Sequence, residues 1–331
     1  MSSPGTIVVE AMTSFAPPGR SLDPAFKRID VNGTTNGLSS FAVTAEAYAG
    51  LQARLDELGC ELDELRRRGA VLSAGFQHLD QQMRLASQVQ RDMLPRPMPE
   101  IAGARVHTLF RPADHVSGDI YNVSRLDETR VALSVADATG HGVAAALLTV
   151  FIKQSLRGKE IYGGSYRLVP PIEALERLNL DLVETNLSEG QFVTVVYAVF
   201  DETSRRLTWS RGGAPYPTLI RPGQAPRPIQ SRGPLVGAFA ETKFDEVHVD
   251  LEPGDTVLFH TDGLESLLLE RDSGGGAGSP THCDFADTRW FQELGWRPIT
   301  TSLAEISDLL DHTSPSDWPV DDVTLLAIGV D

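Results

Sequence analysis

A long stretch without proline, residues 45–93, most constrains what this chain can fold into. The spacing keeps one apolar stripe on one side of a helix, as in a coiled-coil seam. The stripe residues recur mostly in steps of three and four: Leu51, Leu55, Leu58, Leu62, Leu65, Leu72, Phe76, Leu79, Met83, Ala86 and Met93. Pro95 and Pro97 follow, and proline ends a helix because it lacks an N–H and clashes with the preceding turn. The sequence therefore predicts a long coiled-coil-like helix over residues 44–94.

The apolar stripe has two interpretations. It can pair two copies of the chain into a homodimer, which the length of the pattern favours, or it can pack on the chain's own downstream domain. Gly69 falls on the stripe directly after Arg66, Arg67 and Arg68, so a parallel pair would have a weak point there. In a homodimer, the helix would be a control element through which an upstream activator sets the positions of the two downstream domains.

Beyond about residue 105 the chain changes to short β-branched runs bounded by glycine, proline or aspartate. These strand-like runs are residues 131–136, 192–200, 206–209, 218–220, 256–260 and 324–330. Helices are predicted at residues 143–156, 172–186 and near 303–310. Strand series with helices grouped between them predict an α+β domain over residues 95–331, with two antiparallel β-sheets packed as a sandwich and flanked by helices. No dinucleotide or P-loop glycine motif occurs.

Two segments have compositions that do not suit a core. Residues 1–43 mix proline and glycine turns with scattered apolar residues, which predicts a disordered tail. Residues 272–280 are rich in glycine and serine, which predicts a flexible loop. This loop is either a mobile flap or an inert insertion.

Overall composition limits the partners. The net charge of −16 argues against nucleic acid and against an anionic membrane surface, since both need cationic residues. No apolar run is long enough to span a membrane, and no secretory leader pattern is present at Met1. Cys60 and Cys283 are far apart and in unlike contexts, so neither a disulfide framework nor a zinc site is indicated. These features favour a reducing, cytoplasmic setting.

Four short aspartate motifs stand out in the second part of the chain. Each alone has an ordinary explanation, such as a tight Asp-Gly turn or a strand-end cap. Three of the four lie next to strand-like runs, so their carboxylates can converge on one cleft, where bound cations would offset their mutual repulsion. Oxygen ligands of this kind suit Mg²⁺ and Mn²⁺ and indicate a metal-dependent hydrolase. The motifs are Gly118-Asp119, Asp137-Ala138-Thr139-Gly140-His141-Gly142, Thr261-Asp262-Gly263 and Asp321-Asp322-Val323-Thr324.

These motifs resemble those of the protein phosphatase 2C (PPM) superfamily, in its bacterial SpoIIE-like branch. The resemblance covers roughly residues 85–331 in the family's order, and is therefore more specific than any single motif. Further matching segments are 88–95, 192–198, 233–237 and 254–258.

The resemblance implies a site with two Mn²⁺ or Mg²⁺ ions that removes phosphate from phosphoserine or phosphothreonine. Asp137 would bridge both ions and the Ala138 carbonyl would bind one of them. Asp262 and Asp321 would complete the other, and Asp119 would bind a metal directly or through water. His141 would donate a proton to the leaving oxygen. The branch further implies a phosphorylated regulatory protein as substrate, of the anti-anti-sigma-factor type.

The chain departs from the family pattern at two places. The family usually has Asn-Ala-Gly-His where this chain has Arg211-Gly212-Gly213-Ala214. Arg211 is either a phosphate-binding group or an exposed charge at a strand end, and the second is favoured because most arginines are surface residues. The family often has an acid four residues after the aspartate of the third motif, whereas Glu265 here follows Asp262 at three and Ser266 stands at four.

Two other functions stay open at this point. One is a pseudo-phosphatase, a coiled-coil scaffold that binds a phosphoprotein without hydrolysing it. The missing family Asn and His near Arg211 favour it, whereas the complete set of acidic motifs argues against it. The other is a metal-dependent phosphohydrolase for a small metabolite, which would need a deep pocket with convergent polar groups.

Overall fold

The computed structural model describes residues 45–140, 142–185, 191–272, 284–312 and 321–331. The predicted disordered tail, residues 1–43, lies outside these ranges, as does nearly all of the glycine-rich segment 272–280. The chain divides into two compact units, Met1–Gly69 and Ala70–Asp331. Within the described ranges, no helix is long and apolar enough to cross a membrane.

In the first unit the described residues are helical. They belong to helix α1, Ala45–Met93, so the predicted helix is confirmed. Side chains one turn apart on this part of α1 form ion pairs, such as Arg68 Nε to Glu64 Oε1 at 2.8 Å. Such pairs stabilise an exposed helix modestly. The stripe residues of this unit are exposed by roughly half or more: Leu51, Leu55, Leu58, Leu62 and Leu65.

In the second unit, the last turns of α1 are fixed by polar contacts to the loop that precedes the second strand. Gln90 is buried, and its amide nitrogen donates to the Ser117 carbonyl oxygen at 2.6 Å. Its amide oxygen accepts from the Ser117 N–H at 2.9 Å. Gln90 is a polar residue at a position of the apolar stripe between Ala86 and Met93, and these two hydrogen bonds to Ser117 account for it. Leu72, Phe76 and Leu79 stay exposed among the described residues, so within this unit the packing of α1 is limited to its last turns.

In the described part of the chain, twelve strands form two five-stranded sheets and one hairpin, and all of their pairings are antiparallel. The strands are β1 (Ala104–Arg111), β2 (Asp119–Arg125), β3 (Arg130–Ala138), β4 (Lys159–Tyr162), β5 (Ser165–Leu168), β6 (Val193–Asp201), β7 (Arg206–Gly212), β8 (Thr218–Ile220), β9 (Arg227–Pro228), β10 (Glu246–Asp250), β11 (Thr256–His260) and β12 (Val323–Val330). The first sheet has the order β1-β12-β11-β8-β9 and the second has β10-β7-β6-β3-β2. The hairpin pairs β4 with β5.

Five further α-helices follow α1 among the described residues. They are α2 (Val143–Ser155), α3 (Pro171–Thr185), α4 (Asp262–Asp272), α5 (Arg289–Glu293) and α6 (Ile299–His312). The three predicted helices correspond to α2, α3 and α6. Helix α4 was not predicted, because Asp262-Gly263 favours a turn by itself. In the structure Asp262 opens the helix, where a negative charge is stabilised by the helix dipole.

The packing of β12 explains how the layers are held together. Leu326 and Ile328 belong to the core shared by the two sheets, whereas Leu325 and Ala327 belong to a second core with α4, α5 and α6. A strand buried on both faces reads as a continuous apolar run rather than an alternating one. The observed architecture is the predicted α+β sandwich of two antiparallel sheets with helices outside.

Candidate active site

Two of the predicted metal ligands lie opposite each other on neighbouring strands. Asp119 is the first residue of β2, and its partner in the antiparallel register is Asp137 near the end of β3. Directly opposed residues place their side chains on the same face of a sheet. Asp119 is only 1% exposed, so its carboxyl group is held away from water. The register thus brings the first two aspartate motifs together.

Gly118 allows the backbone to approach this pair closely. A Cβ atom at position 118 would lie 2.9 Å from the Ala138 carbonyl oxygen and 3.4 Å from Asp137 Oδ1. The Ala138 N–H donates to the Gly118 carbonyl oxygen at 2.9 Å. A larger residue would displace the Ala138 carbonyl, so the glycine of the Gly118-Asp119 motif is required by the close approach.

The other two motifs come from the first sheet. Asp262 stands two residues after β11, and Asp321 stands two residues before β12, the strand that pairs with β11. A Cβ atom at Gly263 would lie 2.0 Å from the Asp322 carbonyl oxygen. The Asp262-Gly263 and Asp321-Asp322 segments are therefore in direct backbone contact.

Thr261 connects the two sheets at this point. Its hydroxyl group donates to Asp119 Oδ2 at 2.8 Å and accepts from the Thr324 N–H at 3.0 Å. Asp119 belongs to the second sheet and Thr324 to the first, so one buried hydroxyl holds the two strand ends together. No role was predicted for Thr261. Its position directly before Asp262 in the third motif was the available signal.

Asp322 organises the loop that leads into β2. Its Oδ1 accepts from the Ala113 N–H and its Oδ2 from the Gly118 N–H, both at 2.7 Å. Both carboxylate oxygens are therefore engaged by backbone donors. Asp321 uses one oxygen, Oδ1, to accept the Asp322 N–H at 2.8 Å, which leaves its other oxygen for the cleft.

The four predicted carboxylates lie close enough to one another to affect their protonation. Burial first, and then the charges of Asp262, Asp321 and Asp322, raise the pKa of Asp137 to about 7. Burial and then the charge of Asp137 raise the pKa of Asp119 well above its usual range. The pKa of Asp321 is raised by burial and by Asp262. Such mutual destabilisation of the charged forms is what a bound cation would relieve.

The donor chemistry of this cleft fits a hard divalent cation, because it offers carboxylate oxygens and the nearby Ala138 carbonyl. Among the residues that the structure describes, no three His, Cys, Asp or Glu side chains form a group that could hold a metal ion. The four aspartates therefore share a cleft without standing at coordinating distance. Their individual roles as ligands stay predictions.

His141, the predicted proton donor, lies outside the described residues. Its neighbours Gly140 and Gly142 have φ values of 98° and 76°, a conformation that favours glycine. The preceding Thr139 is tied to Phe192, whose N–H donates to the Thr139 hydroxyl oxygen at 2.7 Å. The backbone conformation between the end of β3 and the start of α2 at Val143 therefore requires glycine at positions 140 and 142.

Comparison with known proteins identifies the chain. The family model described as Stage II sporulation protein E (SpoIIE) matches residues 127–331, more than half of the chain. The chain belongs to the SpoIIE family. The match includes the second, third and fourth aspartate motifs and starts just after Gly118-Asp119. The family predicted from the motifs is confirmed.

The relatives of this SpoIIE-family chain are distant in sequence. Phosphoserine phosphatase RsbU of Bacillus subtilis is 24% identical over 195 residues, which are 59% of this chain and 56% of that protein. Protein IcfG of Synechocystis sp. is 24% identical over 265 residues, which are 73% of this chain and 40% of that protein. The chain thus spans about half the length of the curated relatives it matches.

Solved structures confirm the fold. The SiaA-PP2C domain of Pseudomonas aeruginosa has a TM-score of 0.61 at 21% identity, covering 78% of this chain and 98% of that domain. The PP2C phosphatase domain of Bacillus subtilis SpoIIE, solved with a fragment of its regulatory domain, has a TM-score of 0.52 at 17% identity. That match covers 70% of this chain and 64% of the solved one.

One departure from the family pattern falls at the cleft. Burial first, and then the charges of Asp262 and Asp284, raise the pKa of Glu265 to about 7. Although Glu265 follows Asp262 at three residues rather than four, it lies close enough for the charge of Asp262 to affect its pKa. On its other side, Glu265 Oε1 lies 4.0 Å from Nε2 of His260, whose pKa burial lowers to about 4. This pair was not predicted as part of the site.

The other departure, Arg211, corrects an expectation. Arg211 is buried on β7 and not an exposed charge at a strand end. Its guanidinium donates to the Ala214 carbonyl oxygen and, at 2.7 Å, to the Ser231 carbonyl oxygen, and it lies 4.4 Å from the Tyr216 ring centre. Burial lowers the pKa of Arg211. The carbonyl groups and the aromatic ring replace water around the charge, so within the described residues Arg211 secures a turn.

Proposed function

We propose that this SpoIIE-family chain is a divalent-metal-dependent phosphatase that hydrolyses phosphoserine or phosphothreonine on a protein. The observation that carries the proposal is geometric: the strand register opposes Asp119 to Asp137, the Thr261 hydroxyl joins Asp119 to the other sheet, and the Asp262-Gly263 and Asp321-Asp322 segments touch there. Buried carboxylates that repel one another are retained where cations neutralise them. The name of the relative RsbU, phosphoserine phosphatase, supports the same chemistry.

Each residue has a proposed task. Asp137, the Ala138 carbonyl, Asp262 and Asp321 would supply oxygen ligands to two Mn²⁺ or Mg²⁺ ions. Asp119, held by Thr261, would bind directly or through water. Such ions, when bound, neutralise phosphoryl oxygens and lower the pKa of an attacking water. His141 would give a proton to the serine or threonine oxygen as it leaves, a role that suits imidazole near neutral pH.

The proposed substrate is a phosphorylated regulatory protein, of the anti-anti-sigma-factor type that the branch implies. No cysteine nucleophile is required, in agreement with Cys60 being an exposed free thiol on α1. A reducing, cytoplasmic setting remains part of the proposal.

The direct test is turnover of a phosphoserine peptide by the full chain with added Mn²⁺, measured before and after removal of metal with EDTA. We expect phosphate release to stop on chelation and to return when Mn²⁺ is restored, because the carboxylates alone supply no positive charge to the phosphoryl group. Turnover that is unaffected by chelation would contradict the proposal. Binding of the phosphopeptide without any release would favour the scaffold function instead.

We further propose that α1 joins two copies of the chain through the apolar stripe from Leu51 to Leu65. The support is that these leucines are exposed in the single chain although they have heptad spacing. An upstream activator could then act on the paired helices.

Sedimentation of the full chain at micromolar concentration tests this pairing. We expect a dimer for the natural sequence and a monomer for the double variant Leu58→Glu, Leu62→Glu, since charges on the seam would be buried without partners. The matched control is Ala49→Glu, Ala53→Glu, which adds the same charge on the same helix off the stripe and should stay dimeric. A monomeric natural chain would refute the pairing.

A further inference from the structure

A second cavity lies away from the aspartate cleft, in the unit Ala70–Asp331. It has a volume of about 550 Å³ and is lined by the end of α1, by β1 and by the loop that follows β1. This volume is within the range of about 300–1,000 Å³ that is usual for small-molecule sites. Its lining includes four arginines, Arg84, Arg91, Arg96 and Arg111, together with His115. We refer to it as the arginine pocket.

The charge of the arginine pocket is opposite to that of the whole protein. The chain has a net charge of −16, yet Asp114 is the one carboxylate among the described residues that line this pocket. Hydrogen bonds that His115 donates to Asp114 and to Asp80 raise the pKa of His115, which favours its protonated form. Asp80 also pairs with Arg84 at 2.9 Å. The pocket therefore gathers more positive groups than its own carboxylates neutralise.

Three of the guanidinium groups have donors left over. Arg91 donates to the Ser87 hydroxyl oxygen at 2.8 Å and, within the described residues, has no carboxylate partner. Arg96 has no hydrogen bond or ion pair to any described residue. Arg111 uses Nη2 for Ser307 and Asp311, whereas its Nε is buried and unpaired among the described residues. Guanidinium groups that line a pocket and have no carboxylate partner, such as that of Arg91, can bind an anion there.

The remaining surface of the pocket is apolar and aromatic. Phe110 and Tyr121 both line it, and their rings meet edge to face with centroids 6.0 Å apart. Leu94 lies beside them at the end of the helix. An inorganic phosphate ion would use the arginines but leave this surface and most of the volume unfilled.

We propose that the arginine pocket binds a small phosphorylated molecule of about nucleotide size. Its phosphate group lies between Arg91, Arg96 and Arg111, because guanidinium forks match phosphate oxygens with two parallel hydrogen bonds. Its organic part lies against Phe110 and Tyr121. The concave shape favours a small molecule over a folded protein surface.

The location gives this ligand a direct structural connection to α1 and to the aspartate cleft. His115 lies on the loop between β1 and β2, and its Nε2 contacts Asp80 of α1 at 2.9 Å. Two N–H groups of the same loop, those of Ala113 and Gly118, donate to Asp322. A ligand in the arginine pocket would therefore touch both the helix and the loop that leads to Asp119.

The test is isothermal titration of adenosine 5′-monophosphate, and separately of inorganic phosphate, into the full chain at fixed ionic strength with EDTA present. The variant is Arg91→Gln, Arg96→Gln. The matched control is Arg66→Gln, Arg67→Gln, which removes the same charge from exposed positions of the same helix. We expect saturable binding of the monophosphate that weakens at least about tenfold in the variant and changes less than about twofold in the control.

The two probes separate the parts of the ligand. Inorganic phosphate should compete with the monophosphate, and adenosine should not bind in its place. The proposal would be overturned if adenosine bound as tightly as the monophosphate, or if the control variant lost as much affinity as the Arg91→Gln, Arg96→Gln variant. It would also be overturned if the natural chain showed no saturable binding of the monophosphate. If neither probe binds and the variant instead loses turnover of a phosphoprotein, the pocket is a protein-docking surface. Since no turnover enters the titration, its result is independent of whether the chain is a phosphatase.

Discussion

Replacement of Asp137 by asparagine is expected to lower turnover of a phosphoserine peptide by about 100- to 1,000-fold. A metal centre supplies several kcal/mol of charge stabilisation in the transition state, and each 1.36 kcal/mol corresponds to a factor of ten in rate. Asparagine has nearly the same shape as aspartate, but it has no negative charge with which to hold the cations. Titration of Mn²⁺ into the same samples should show weaker binding in parallel. The measurement is kcat/KM together with Mn²⁺ affinity.

The fold should survive this change. Because burial and neighbouring carboxylates raise the pKa of Asp137 to about 7, its charged form is disfavoured in the metal-free protein. The neutral amide removes that repulsion, so thermal unfolding without metal should occur at no lower temperature than in the natural chain. Asp250→Asn is the matched control, since Asp250 is an exposed residue of β10 that pairs with Arg206. Unchanged turnover in the Asp137→Asn variant would refute the metal-centre proposal.

Replacement of Gly263 by alanine is expected to disrupt the site through the backbone. The new Cβ would lie 2.0 Å from the Asp322 carbonyl oxygen and 2.9 Å from its carbonyl carbon. Alanine favours a helix over glycine by about 1 kcal/mol, but overpacking against backbone typically destabilises by about 1–3 kcal/mol or more. The contact must open, which separates Asp262 from Asp321. A displacement of about 1 Å can lower a rate by about 100-fold, so turnover should fall by that order.

Gly75→Ala provides the comparison for this variant. Gly75 lies within α1, and a Cβ atom there meets nothing within 4 Å. Its replacement should leave turnover unchanged and raise stability by up to about 1 kcal/mol. Urea unfolding and peptide turnover should be measured for both variants. Natural stability and natural turnover in Gly263→Ala would show that the close contact between the two aspartate segments is not needed.

Much of the fold was predictable because its signals are local. The heptad spacing before Pro95 predicted α1, and β-branched runs predicted β3, β6, β7, β8, β11 and β12. Strands with weaker patterns, such as β10, were missed because alternate residues face water. Helix α4 was missed because Asp-Gly favours a turn unless the following residues pack, and here Leu264, Leu267 and Leu268 are buried.

The candidate site was predictable only in part. The four aspartates were recognisable from motif chemistry, and the structure brings them to one cleft. Thr261 could not be recognised as a connecting residue, since its partner Asp119 is 142 positions away in the chain. The burial of Arg211 depended on Ser231 and Tyr216, which lie on separate turns. The arginine pocket also could not be predicted from local patterns, because its lining comes from α1 and β1, which are separate in the chain.

The amino-acid sequence by itself determined the long helix, the sandwich class, the acidic character and the residue types available for chemistry. Propensity, periodicity and short motifs operate over a few neighbouring residues, and they can be recognised without knowledge of what lies across the fold. The tertiary structure alone decided the pairing of Asp119 with Asp137, the hydroxyl contact of Thr261 and the polar attachment of Gln90 to Ser117. These depend on strand order and on burial between distant segments, because a carboxylate, hydroxyl or guanidinium acquires its role only from the groups that surround it.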